Sequence, residues 1–157
     1  AFTRWVTTKR GPMKQSVAVK QNVSDVEKMV RTPDECRSMG LDNAIMAEST
    51  DDPDETMKWL DKAVYCFQQI DDAALLKKAR VHRLSANFRA KLQKHEGDGT
   101  DQIEIEAANT VEGLLVERLP FEANRVCSDV HPLMSDESQR LLEERLLSRI
   151  SAWHRDR

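Results

Sequence analysis

The chain has 157 residues, 32% of them charged, and a formal net charge of −3. That length suits one domain with a sizeable core, and no apolar run nears the roughly 20 residues that cross a bilayer as a helix, so no membrane partner is expected. Three cysteines, odd in number and widely spaced, exclude a disulfide framework and Cys-x-x-Cys metal pairs, and point to core packing in a reducing, intracellular setting, cytoplasmic or nuclear.

Residues 1–23 read as a basic N-terminal arm. The first 24 residues carry Arg4, Lys9, Arg10, Lys14 and Lys20 with no acid, so the remainder holds a net charge of −8. Such an arm can dock on the acidic body or on an anionic partner. It shows no sustained periodicity, although "SVAVK" suits a short extended piece. It also lacks the apolar block and cleavage site of a secretory signal. Because the chain opens on Ala1 rather than Met, it reads as a processed chain or a fragment of a larger protein.

Residues 24–157 form the expected helical domain. "TPDE" at 32–35 and "DPDE" at 52–55 each combine a cap-capable residue, Pro at the first helical position and Glu at the third, the pattern of a capping box. Asp34 and Asp54 add negative charge where the helix dipole is positive. Helices are therefore expected to start near 33 and 53. The second carries Met57, Leu60, Val64 and Phe67 on one face, with Trp59, Ala63, Cys66 and Ile70 beside it.

A long helix follows "DD" at 71–72 and runs to about Lys94, with Val81, Leu84, Phe88 and Leu92 in line and Leu75, Ala79 and Ala86 as a flatter flank. "EGDGT" favours a loop. A helix from about 102 to 118 aligns Ile103, Ala107, Val111 and Leu114 and breaks at Pro120. A shorter one holds Phe121, Ala123, Val126, Cys127 and Val130. "HPLMSDESQ" reads as a turn into a last helix that aligns Leu142, Leu146, Ile150 and Trp153. The fold class is all-α, six or seven antiparallel helices as a bundle or a short helical stack.

No phosphate-binding Gly loop, metalloprotease helix or nucleophile elbow occurs, so neither catalytic residues, metal ligands nor a cofactor are expected. The one charge cluster that suggests a ligand is "LLKKARVHRLSANFRAKLQK", seven positive charges with no acid. Within it Lys77, Arg80, His82 and Arg83 are the candidate anion or nucleic-acid contacts. The alternative is that these charges pair with acids of neighbouring helices.

In "ECRSMGLDNAIMAE…WLDKAVYCFQQIDDAALLKKARVHR" the pattern resembles tetratricopeptide-like helical repeats over about residues 32–90. Gly40 matches the mid-helix Gly of the first helix, and Ala63, Phe67 and Asp71 match the end of the second and its acidic turn. The spacing from Gly40 to Ala63 is 23 residues where a 34-residue repeat has about 12, so one unit is recognisable. "TPDECRSMGLDNA" running into "WLDKAVYCFQQIDD" also resembles the helical accessory regions of UvrD-like helicases of the TPR-and-ankyrin type. The resemblance implies a scaffold beside a motor, without catalysis in these residues. The expected function is a non-enzymatic helical interaction module that binds another protein or another region of its parent chain. The competing expectation is a nucleic-acid-binding accessory domain of a helicase-like protein.

Overall fold

A computed structural model describes residues 17–29, 32–94 and 100–155. Among them the protein is all-α, with seven helices and no strand. They are α1 (Val17–Met29), α2 (Pro33–Glu48), α3 (Pro53–Gln69), α4 (Ala73–Lys94), α5 (Asp101–Val116), α6 (Pro120–Val130) and α7 (Asp136–Arg155), with a 3-10 turn at His131–Leu133 between the last two. The described residues fall into two compact units, divided between Arg83 and Leu84 inside α4. Residues 1–16 of the expected arm and most of "EGDGT" lie outside the described residues.

The "SVAVK" stretch corrects the sequence reading, because α1 already begins at Val17. Its β-branched residues favour extended backbone, but Val23 and Val26 are three apart and both are buried. That spacing places two buried apolar side chains on one helical face, and the packing of Val26 against Cys36 and Cys66 outweighs a weak local preference. Lys62 of α3 pairs with Asp25 of α1 at 3.0 Å. Partial burial raises the pKa of the Asp25 carboxyl, but the Lys62 ammonium and the Val26 amide outweigh that and hold it below the ordinary aspartate value.

Both Pro-Asp-Glu sites start helices. The Glu35 amide donates to Thr32 Oγ1 at 3.2 Å, and the Asp54 amide donates to Asp52 Oδ1 at 3.2 Å. At the second site the reciprocal half of the capping box is replaced by other partners. The Asp52 amide donates to Thr50 Oγ1, and Glu55 pairs with Lys58 one turn on. Thr32→Ala and Asp52→Ala are each expected to lower stability by about 0.5–2 kcal/mol in urea unfolding. Unchanged midpoints for both would remove the capping role.

In the first unit α2 and α3 pack as a hairpin joined by residues 49–52, and α1 lies against α3. Ala63, Phe67, Leu76 and Ala79 form one buried cluster, flanked by Ala44, Val64, Ile70 and Leu75. Phe67 is fully enclosed. Gly40 of α2 explains the close approach of these helices. A Cβ there would sit 2.5 Å from Cε1 of the Phe67 ring, so only a residue without a side chain fits. Asp71, at φ 57, supplies the left-handed turn that ends α3 and leads to α4.

The thiols of the first unit are chemically quiet. Burial, with a contribution from Glu35, pushes Cys36 up to about 11. Cys66 rises to about 12, again mainly by burial, with Cys36 next to it in effect. Burial also raises Cys127, helped by Glu143. Since the thiolate is the reactive form, Cys36 and Cys66 are expected to resist iodoacetamide at neutral pH until the chain is denatured. Mass spectrometry showing rapid labelling of either in native protein would contradict their enclosure.

In the second unit Ala107, Val111 and Leu114 of α5 are buried as their spacing requires, and α5 packs against α6 and α7. The end of α5 is a left-handed cap at Arg118, φ 64. Its amide donates to Leu115 O, and the next amide, of Leu119, reaches back to Leu114 O. Pro120 then opens α6 at once. Three apolar positions expected inside or in line with core residues are exposed: Leu84, Phe121 and Ile150. Phe121 stands in the first turn of α6, and Ile150 lies in the last turns of α7, beyond buried Leu142. A helical period identifies a face, but burial also needs a neighbour opposite it. The side chain of Trp153 lies outside the described residues.

Candidate interaction site

Lys77, Arg80, His82 and Arg83 all fall on the first half of α4, and the structure divides them. Lys77 and Arg80 are exposed, whereas His82 and Arg83 are partly covered. Arg83 Nε donates to Asp61 Oδ1 of α3, a carboxylate that is buried within the helix pair. His82 Nδ1 lies 3.6 Å from Glu48 Oε1 at the end of α2. Two of the four candidate contacts therefore face acids of the same unit, from two other helices. A buried carboxyl needs a hydrogen-bond partner, and the Arg83 guanidinium supplies one to Asp61. Lys77 and Arg80, both exposed, lie three residues apart on the same helix.

The α2 helix offers a different kind of surface. Cys36, Gly40, Asn43 and Ala47 are its buried residues, spaced i, i+4, i+7 and i+11. Asp34, Ser38, Leu41 and Ile45 repeat that spacing two positions earlier, which rotates them by about 200° to the side facing away from the core. All four are exposed, and Ile45 is 64% exposed. Met46 is exposed on the flank. An outward helix face is ordinarily polar, so a Leu and an Ile one turn apart are a departure.

Further apolar side chains stand out in the second unit, with Phe121 at 85% and Leu147 at 65% exposure. Its buried polar groups are structural. Glu104 of α5 is 3% exposed and accepts from the Ser135 amide at 2.8 Å, from Ser138 Oγ at 2.6 Å and from Ser135 Oγ at 3.3 Å. It closes the start of α7 from another helix. Sequence reading passed over it, because an isolated Glu at position 104 carries no local sign of what lies opposite. Ser85 Oγ donates to Asp129 at 2.6 Å, and Arg149 pairs with Glu112 at 3.1 Å, joining α7 to α5.

Among the described residues no group of three or more His, Cys, Asp or Glu side chains is arranged to hold a metal ion, and no helix is long and apolar enough to cross a membrane. Comparison with protein-family models, with curated proteins and with solved structures found no match to this chain.

Proposed function

We propose that the chain is a non-enzymatic helical interaction module, a scaffold that binds another protein or another region of a larger parent chain. The observation that carries this reading is the set of large apolar side chains left on outward surfaces, Ile45 in the first unit and Phe121 and Leu147 in the second, on helices whose inward faces already hold a core. Large exposed apolar groups are where partners dock. The Gly40–Phe67 contact supports the tetratricopeptide-like reading of residues 32–90, since it joins two of the positions on which that resemblance rests.

Affinity capture by the full chain from extract, with and without nuclease, tests the role. A protein partner should survive nuclease and be lost with Ile45→Asp or Phe121→Asp in a chain that still melts cooperatively. Retention that disappears with nuclease would instead favour the nucleic-acid-binding reading, for which the exposed Lys77 and Arg80 speak. In that case Lys77→Glu with Arg80→Glu should abolish retention, and affinity should fall steeply with salt. Both substitutions leave the Arg83–Asp61 pair intact.

A further inference from the structure

We propose that Cys36 and Cys66 are a redox pair whose disulfide clasps the open end of the α2–α3 hairpin. The pair is separate from the exposed apolar groups on which the interaction role rests. Far apart in sequence, the two cysteines are brought together by the fold. The helices α2 and α3 are joined through residues 49–52, so the start of α2 and the end of α3 form the open end of the hairpin. Cys36 is the fourth residue of α2, and Cys66 is the fourth from the end of α3. Both are fully buried, in one cluster with Val26 of α1. Their neighbours show how closely the helices approach there. Gly40 lies one turn after Cys36, Phe67 follows Cys66, and a Cβ on Gly40 would stand 2.5 Å from the Phe67 ring. A disulfide needs Cα atoms within about 7 Å, a separation reached only where helices cross closely.

Each thiol is felt by the other and by the same neighbour. Burial is the main cause that raises Cys66, and Cys36 is the next. Burial also pushes the Tyr65 hydroxyl up to about 12, with Glu27 and then both cysteines adding to it. These surroundings decide what the pair can become. Thiolates holding a cation would bring negative charge into an apolar cluster that Glu35 and Asp25 already face. Among the described residues, moreover, no group of three His, Cys, Asp or Glu side chains is arranged for a metal. A disulfide carries no charge, so the dry cluster accepts it without a desolvation cost.

The enclosure that keeps larger electrophiles out also sets the course of oxidation by a small hydroperoxide. With hydrogen peroxide, one thiol loses its proton and attacks an oxygen; the O–O bond breaks, and the hydroxide released takes up that proton as water, leaving a sulfenic acid. The second sulfur attacks the first, the S–O bond breaks, and the sulfenic OH leaves with the second thiol's proton as water. Two thiols and one peroxide thus give one disulfide and two waters, with two electrons passing from sulfur to peroxide oxygen. Because the thiolate form is scarce in both residues, the reaction is slow, and the clasp answers sustained rather than brief oxidation.

The test starts from the reduced full chain, treated with hydrogen peroxide for hours, then alkylated under denaturing conditions and peptide-mapped without reduction. Monomeric protein should yield a linked peptide pair containing Cys36 and Cys66, which dithiothreitol separates. At a fixed urea concentration the unfolding constant of the oxidised chain should be about tenfold or more below that of the reduced chain. Cys36→Ala and Cys66→Ala should each lose this gain, and Cys127→Ala should keep it. Recovery of Cys36 and Cys66 as free thiols after a dose that oxidises Cys127 would overturn the pairing, as would linkage of either to Cys127 or to a second chain. A Cys36–Cys66 bond that leaves the unfolding constant unchanged or raises it would overturn the clasp. Both readouts are made on the parent chain, so neither depends on a variant that folds poorly.

Discussion

Phe67→Ala is expected to lower the stability of the first unit by about 3–5 kcal/mol, enough to unfold a unit of ordinary stability. The ring is fully enclosed by Ala63, Leu76 and Ala79 and their partly buried neighbours, so its removal leaves a cavity that those small residues cannot fill by relaxing. The same ring sets the requirement at position 40. Gly40→Ala would ordinarily stabilise a helix by about 1 kcal/mol. Here the new Cβ meets Cε1 of Phe67 at 2.5 Å and Cδ1 at 2.9 Å, and an enclosed ring has nowhere to go. A net loss of about 1–3 kcal/mol is expected instead.

The two changes are coupled and should not add. With Phe67→Leu in place, Gly40→Ala should become neutral or stabilising, because the atoms it strikes are gone. Denaturant unfolding of the two single variants and the double variant closes this cycle. Additive losses would mean that the helices of the hairpin are not held at the separation the structure shows.

The second large effect is at Glu104, where replacement by Ala is expected to destabilise the second unit by about 3 kcal/mol or more. The carboxylate is buried in α5 yet accepts from the Ser135 amide and from two serine hydroxyls at the start of α7. Replacement removes three hydrogen bonds to a charged acceptor, each worth about 1.5–3 kcal/mol, and leaves a gap where the buried Glu104 side chain lay. Glu104→Gln keeps the volume and one acceptor oxygen but brings two donors toward groups that themselves donate, so it should lie between parent and Ala. Ser138→Ala alone removes one of the three donors and should cost less than either. If Glu104→Ala unfolds at the parent midpoint, the α5–α7 closure is not formed in solution. The readout is urea unfolding followed by amide exchange at 136–139, which should speed up selectively.

Much of the local structure was legible in the sequence because its causes are local. Proline at the first helical position and a hydroxyl or carboxylate before it fix where α2 and α3 start, whatever the rest of the chain does. The 3.6-residue period of Ala107, Val111 and Leu114 identifies the buried face of α5 in the same way. The stretch 17–23 was misjudged for the complementary reason. Its valines have a weak extended preference that the burial of Val23 and Val26 overrides, and burial depends on residues far along the chain.

The candidate site divides on the same line. For the described residues, sequence alone determined the all-α class, the starts of α2 and α3 and the basic run of α4, because caps, periodicity and charge counts act within one or two turns. Only the tertiary structure decided that Arg83 donates to Asp61 and His82 faces Glu48, that Glu104 closes α7, that Gly40 admits the Phe67 ring, and that Leu41 and Ile45 face outward while Phe67 does not. Those outcomes join residues from 22 to 34 positions apart, and a periodic pattern names the face of a helix without naming what lies against it.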